Sequence, residues 1–67
     1  MSEINNNIAK YRAINSVSQQ GLADAIGVSR KTISTVETSR FVPSVIIALK
    51  IARYFDVSVE ELFSLVD

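Results

Sequence analysis

Residues 18–37, SQQGLADAIGVSRKTISTVE, constrain the fold more than any other stretch of this chain. They divide into two short amphipathic segments around a turn at Gly27, Val28 and Ser29. Leu22, Ala23 and Ile26 recur at helical spacing in the first segment, and Ile33, Val36 and Glu37 in the second. Ser18 and Ser29 stand just before the segments, where a hydroxyl can accept from the free N–H groups of a helix's first turn. Gly27 falls where the first segment must stop, at a position that tolerates a left-handed backbone. Two helices joined by a short glycine-containing turn form a helix-turn-helix unit, and the flanking segments read as its support.

With 67 residues, 48% of them apolar, the chain is expected to form one small domain over residues 1–67 with a folded core. A core of this size supplies only about 3–5 kcal/mol, so close helix packing or a partner would help it. The sequence contains no Cys and no His, which removes disulfides, thiolate metal sites and imidazole chemistry. No metal, cofactor or small-molecule ligand is therefore expected. Glu60 and Glu61 read as helix-capping and solvated acids rather than a catalytic pair, so an enzyme is not expected. The start MSEINNN is polar, unlike a secretory signal, and the longest apolar run, residues 45–49, is too short to cross a bilayer. A cytoplasmic chain that does not engage a membrane is the expectation.

Seven Lys and Arg residues balance seven acids, so net charge gives no direct sign of a nucleic-acid partner. Their distribution says more. Every cation lies at or before Arg53, while Asp56, Glu60, Glu61 and Asp67 follow it without a positive partner. A positive body with a negative end can present a basic face while remaining neutral overall.

In chain order, Ile4, Ile8 and Tyr11 predict a first helix over about residues 5–15, followed by Val17 packing ahead of the Ser18 cap. The second helix is expected over residues 19–26. Gly21 within it costs about 1 kcal/mol relative to Ala and reads as a surface position. The third helix, residues 30–38, turns Ile33, Val36 and Glu37 to one side and Lys31, Ser34, Thr35 and Thr38 to the other, with Arg30 free in the first turn. That outer side carries cations and hydroxyls and no acid, as a surface meeting phosphates and base edges needs. After the loop at residues 39–43, Ser44 caps a fourth helix over residues 45–55, with Ile47, Leu49, Ile51, Ala52 and Phe55 expected to be buried. Ser58 and Glu61 have the form of a capping box opening a fifth helix that runs to Leu65. No strand pattern is apparent, and the chain reads as all-α.

The segment 18–37, followed by RFVPS and ALKIARYFDVSVEELF, resembles the Cro/C1-type (XRE) helix-turn-helix family of transcription regulators. The resemblance covers about residues 8–63. It implies a compact five-helix bundle of the lambda-repressor-like type, with the helix-turn-helix at helices two and three and the third helix in the DNA major groove. Position by position, it implies that Gln19 contacts a phosphate and can also bond the recognition helix. It implies that Ser29 lies near a phosphate, that Arg30, Lys31 and Thr35 face base edges, and that Arg40 touches the DNA backbone. Together with Ser34 from the outward arc, these are the candidate DNA-binding residues. Arg12 and Glu37 match a largely buried ion pair between helices one and three.

Where the family often has Asn-Gly after the glutamate, this chain has Thr38-Ser39. Either a hydroxyl residue takes the left-handed conformation or the loop follows another path. Val42 and Ile46 are apolar where relatives are often polar, and Phe63, Leu65 and Val66 are more apolar than a solvated tail needs. These five are the candidate dimer contact, because specific sites are usually read by a dimer on a two-fold operator. The expected function is sequence-specific binding of double-stranded DNA by a homodimeric repressor. The alternative is a protein-interaction module or antitoxin-like partner binder using the same fold.

Overall fold

In the computed structural model, residues 4–66 are described. Met1, Ser2 and Glu3 of the polar start and Asp67 of the acidic tail lie outside them. The elements run β1 (Ile4–Asn6), α1 (Ile8–Asn15), α2 (Gln19–Ile26), α3 (Arg30–Glu37), α4 (Val45–Phe55), α5 (Val59–Leu62) and β2 (Phe63–Leu65). Five helices form the body, as the hydrophobic spacing predicts, and three starts follow from their serines. Ser18, Ser29 and Ser44 accept from the N–H of Gly21, Thr32 and Ile47 respectively. At α5, Ser58 and Glu61 complete a reciprocal capping box.

The largest departure from the sequence expectation is at the two ends. Residues 5–7 do not begin the first helix, which starts at Ile8, and residues 63–65 do not end the fifth. Instead β1 and β2 pair antiparallel, with Ile4 opposite Leu65 and Asn6 opposite Phe63. The physical reason lies in the asparagines, whose side chains compete with helical backbone bonding. Asn6 Oδ1 accepts from the Ile8 N–H at 3.2 Å, so it starts α1 rather than joining it. Asn7 donates through its backbone N–H to the Leu62 carbonyl at 2.8 Å and through Nδ2 to the Glu61 carbonyl at 3.1 Å. The run of asparagines thus ties the chain's start to the end of α5. The ribbon is a minor addition to an all-α bundle.

Ile8, Leu22, Ile33, Ile51 and Leu62 are fully buried and bring all five helices to one core, completed by Val36, Phe55 and Phe63 among others. Two expectations fail here. Leu49 is 55% exposed rather than buried, because α4 turns Ile51, Ala52 and Phe55 inward and leaves Leu49 on the opposite face with Val45 and Ile46. Phe63 is only 8% exposed and packs into the core of its own chain, so it is unavailable as a subunit contact. Leu65 and Val66 are exposed.

Gly21 is not an undemanding surface position either. A Cβ there would lie 3.0 Å from Val17 Cγ2 and 3.2 Å from Ser18 Oγ, pressing on the cap that starts α2. Gly27 meets the expectation for a helix stop: its φ is +76° and it faces open space.

Candidate nucleic-acid interface

The inner side of α3 fixes how its outer side is presented. Glu37 has only 8% of its side chain exposed and accepts from Arg12 Nε at 2.6 Å and Nη2 at 3.0 Å. This two-pronged contact links α1 to α3 and matches the pairing implied by the resemblance. Arg12 also donates to the Val17 carbonyl at 3.2 Å, tying down the approach to α2. The hydrogen bond from Glu37 raises the Arg12 pKa above its ordinary value, partial burial opposes this, and the Coulombic attraction of Glu37 adds to the rise. A raised folded-state pKa gives a contribution to stability that is complete below the ordinary arginine value and lost only as pH rises through the raised one.

Gln19 extends this network to the surface. Its Nε2 donates to Glu37 Oε1 at 3.2 Å, and its Oε1 accepts a long bond from Arg30 Nη1 at 3.5 Å. One chain of contacts therefore runs from Arg12 through Glu37 and Gln19 to Arg30, crossing α1, α3 and α2. Asn6 adds a clamp that the sequence did not signal, since its Nδ2 donates to the carbonyls of Val36 and Glu37 at 3.0 and 3.3 Å. The free carbonyls at the end of α3 are thereby satisfied from the terminal ribbon.

Beyond α3 the chain resolves the question raised by Thr38-Ser39. Thr38 stays near helical geometry, and Ser39 takes the left-handed conformation with φ +60°. The Arg40 N–H reaches the Thr35 carbonyl at 3.0 Å and the Ser39 N–H reaches that of Val36 at 3.1 Å. This is the paired bonding of a Schellman ending, with serine where glycine is usual.

Arg30 and Lys31 are exposed on the outward side, as is Arg40 just past the turn, while Ser34 and Thr35 are half-buried. Two of the other cations serve the fold instead: Arg12 in its ion pair, and Lys50, whose Nζ reaches the Ile26 carbonyl at 3.5 Å across from α4. The hydroxyls are less available than their residue types suggest. Thr35 Oγ1 donates to the carbonyls of Lys31 and Thr32, both at 3.0 Å, and Thr38 Oγ1 to that of Ser34 at 2.9 Å. Ser29 Oγ is occupied as the cap of α3 and bonds Thr32 Oγ1 at 2.9 Å. Thr35 and Thr38 keep acceptor lone pairs and methyl groups for a ligand, but not their protons. Phe41, absent from the sequence-derived site, is 49% exposed and borders a hollow with Ser29, Lys31, Thr32 and Thr35. Only its place in a loop beside Arg40 hinted at it.

This arrangement, two capped helices at a glycine turn with one basic outward face, defines a helix-turn-helix unit. The helix-turn-helix family profile matches residues 8–62, and the chain belongs to that family, in its Cro/C1 (XRE) branch. It is 41% identical over 58 residues to an uncharacterised HTH-type transcriptional regulator of Methanocaldococcus jannaschii, covering 87% of this chain and 88% of the relative. A crystal structure of a putative DNA-binding protein from Bacteroides fragilis superimposes with a TM-score of 0.81 at 26% identity, over 91% of this chain and 98% of that one. The N-terminal DNA-binding domain of SinR from Bacillus subtilis superimposes with a TM-score of 0.75 at 31% identity, over 81% and 80% of the two chains. As a member of this family, the chain is a DNA-binding transcription regulator rather than an enzyme. Among the described residues, no helix is long and apolar enough to cross a membrane.

Proposed function

We propose that residues 1–67 act as one cytoplasmic DNA-binding domain, a homodimeric repressor that occupies a two-fold operator with α3 in the major groove. The observation that carries this reading is the contrast across α3. Arg30 and Lys31 are exposed on the outer side, with Arg40 flanking them, while the inner side is locked by Arg12, Glu37 and Gln19. In this reading Lys31 and Arg30 address base edges, and Ser34 and Thr35 offer acceptors beside them. Gln19, Ser29 and Arg40 meet the phosphates on either side.

Support for a dimer comes from α4. Val45, Ile46 and Leu49 are exposed on one side of it at 75%, 65% and 55%, and Val42 just before it at 61%. An apolar face of this kind marks an interaction surface. It contains Val42 and Ile46 from the sequence-derived contact, and adds Val45 and Leu49. Leu65 and Val66 form a second exposed apolar group at the ribbon. The same α4 face also supports the alternative, a module that binds a different protein.

Selection from a random DNA library tests both readings. A regulator of the proposed kind recovers a two-fold symmetric motif. Its affinity falls steeply with salt as counterions leave the phosphates. Lys31→Ala should relax the preference at one position of the motif, whereas Arg40→Ala should weaken every site alike. Recovery of no motif, with flat salt dependence, would favour the protein-binding alternative.

A further inference from the structure

The hollow beside α3 has a chemistry that the basic face does not explain. It is an open depression lined by Ser29, Lys31, Thr32 and Thr35 from the recognition helix and its cap, and bordered by Phe41 from the following loop. The Thr35 proton is held by two backbone carbonyls, and the hydroxyls of Ser29 and Thr32 bond each other. What remains of the lining is mainly apolar: threonine methyls, the Lys31 stem and a half-exposed aromatic ring, with hydroxyl oxygens at its edge. A purely electrostatic surface would have no use for a mainly apolar recess beside its cations.

In the major groove, the base pairs present polar edges and one apolar substituent, the C5 methyl of thymine. The hollow shares Lys31 and Thr35 with the face assigned to base edges, so a methyl projecting into the groove would enter it from the same side. We propose that Phe41 is a specificity-determining residue, forming with Thr32 and Thr35 a subsite for a thymine methyl group. This deepens the DNA-binding reading above and rests on it. Ser39 gives the subsite its geometry, because its left-handed turn carries Arg40 and Phe41 back toward α3. Phe41 thus adds a preference for one base, while Arg40 beside it adds affinity for any sequence.

The test uses the full chain and a site recovered by library selection, with each thymine replaced singly by deoxyuridine so that only the methyl is lost. The wild-type protein should lose about fourfold in affinity at one position per half-site, the effect of one methyl returned to water. Phe41→Ala should bind the thymine and uracil forms of that position equally, and Phe41→Leu should keep part of the difference. Phe41 is half-buried, so the thermal midpoint of each variant is measured alongside, and the thymine and uracil forms are compared within each variant at a temperature where it is folded. A recovered site indifferent to every uracil replacement overturns the subsite and leaves DNA binding standing. An unchanged thymine preference in Phe41→Ala overturns it as well. Failure to recover any site removes the reading beneath it.

Discussion

The two sides of α3 differ in how far their polar groups are already engaged. On the inner side, Glu37 is held by Arg12 and Gln19, and the nearby carbonyls of Val36 and Glu37 by Asn6. On the outer side, Arg30 and Lys31 are exposed, and Arg30 makes only a long contact to Gln19 among the described residues. A recognition surface needs this inequality. Flexible cations find phosphates and bases accurately only if the helix carrying them cannot shift, and that rigidity must come from the side that faces away from the DNA.

The largest effect should come from breaking the inner side. Arg12→Met leaves Glu37, 8% exposed, without its charged partner, whereas Glu37→Leu leaves Arg12 with 21% of its side chain in water. Arg12→Met should therefore be the more damaging change, destabilising by about 3 kcal/mol, the lower end for a broken buried pair. Combining the two substitutions should recover most of the loss, since an apolar pair can replace a buried ion pair. Urea denaturation of the two single variants and the double variant measures this. A double variant no more stable than Arg12→Met would mean that the pair does more than satisfy its own charges.

The outer side should respond in the opposite way. Lys31→Ala should alter stability by less than about 0.5 kcal/mol, as an exposed substitution away from any buried contact does. Its expected effect on discrimination between the preferred base and its competitor is about 1–3 kcal/mol. Thermal melts read the first quantity, and competition binding with single-base variants of the site reads the second. A lowered melting point together with unchanged discrimination would place Lys31 among the supports and not at the DNA. A smaller shift is expected from Gln19→Ala, which touches both sides. It removes one bond to Glu37 and one to Arg30, so stability and affinity should fall together by about 1 kcal/mol each.

How much of this was readable in advance follows the same division. The helices of the helix-turn-helix unit were legible because serine caps, the glycine stop and i, i+3, i+4 spacing act locally. The match of Arg12 to Glu37 was legible only through family resemblance, since the two lie far apart in sequence. The terminal ribbon was not legible. Three asparagines carry no periodicity, and residues 63–65 continue the helical spacing of α5 until pairing with β1 overrides it. The exposure of Leu49 is not legible in the sequence, because α4 is apolar nearly all round and periodicity alone does not choose its inward side. Phe41 gives no signal in the sequence, because a half-exposed loop aromatic shows its place only beside Lys31 and Thr35. Hydroxyl engagement was equally hidden. Residue type announces a donor, but only structure shows where the proton goes.

The finest test lies at the turn where the two sides of α3 meet. Ser39 and Gly27 both hold left-handed backbones, at φ +60° and +76°, and close similar bonds at the ends of their helices. Only glycine does so without the steric penalty of about 1–2 kcal/mol that a Cβ incurs there. Glycine in turn loses more backbone freedom on folding, by about 0.5–1 kcal/mol. Ser39→Gly should therefore stabilise the chain by roughly 0.5–1 kcal/mol, the difference of those two terms, raising Tm by about 2–8 °C. Gly27→Ser makes the reverse exchange at the other turn and should lower Tm by a similar amount. If Ser39→Gly lowered Tm instead, the Ser39 side chain would be contributing a contact of its own. If both shifts appear with Lys31-dependent discrimination intact, the backbone at Ser39 is aiming Arg40 and Phe41 without help from its hydroxyl.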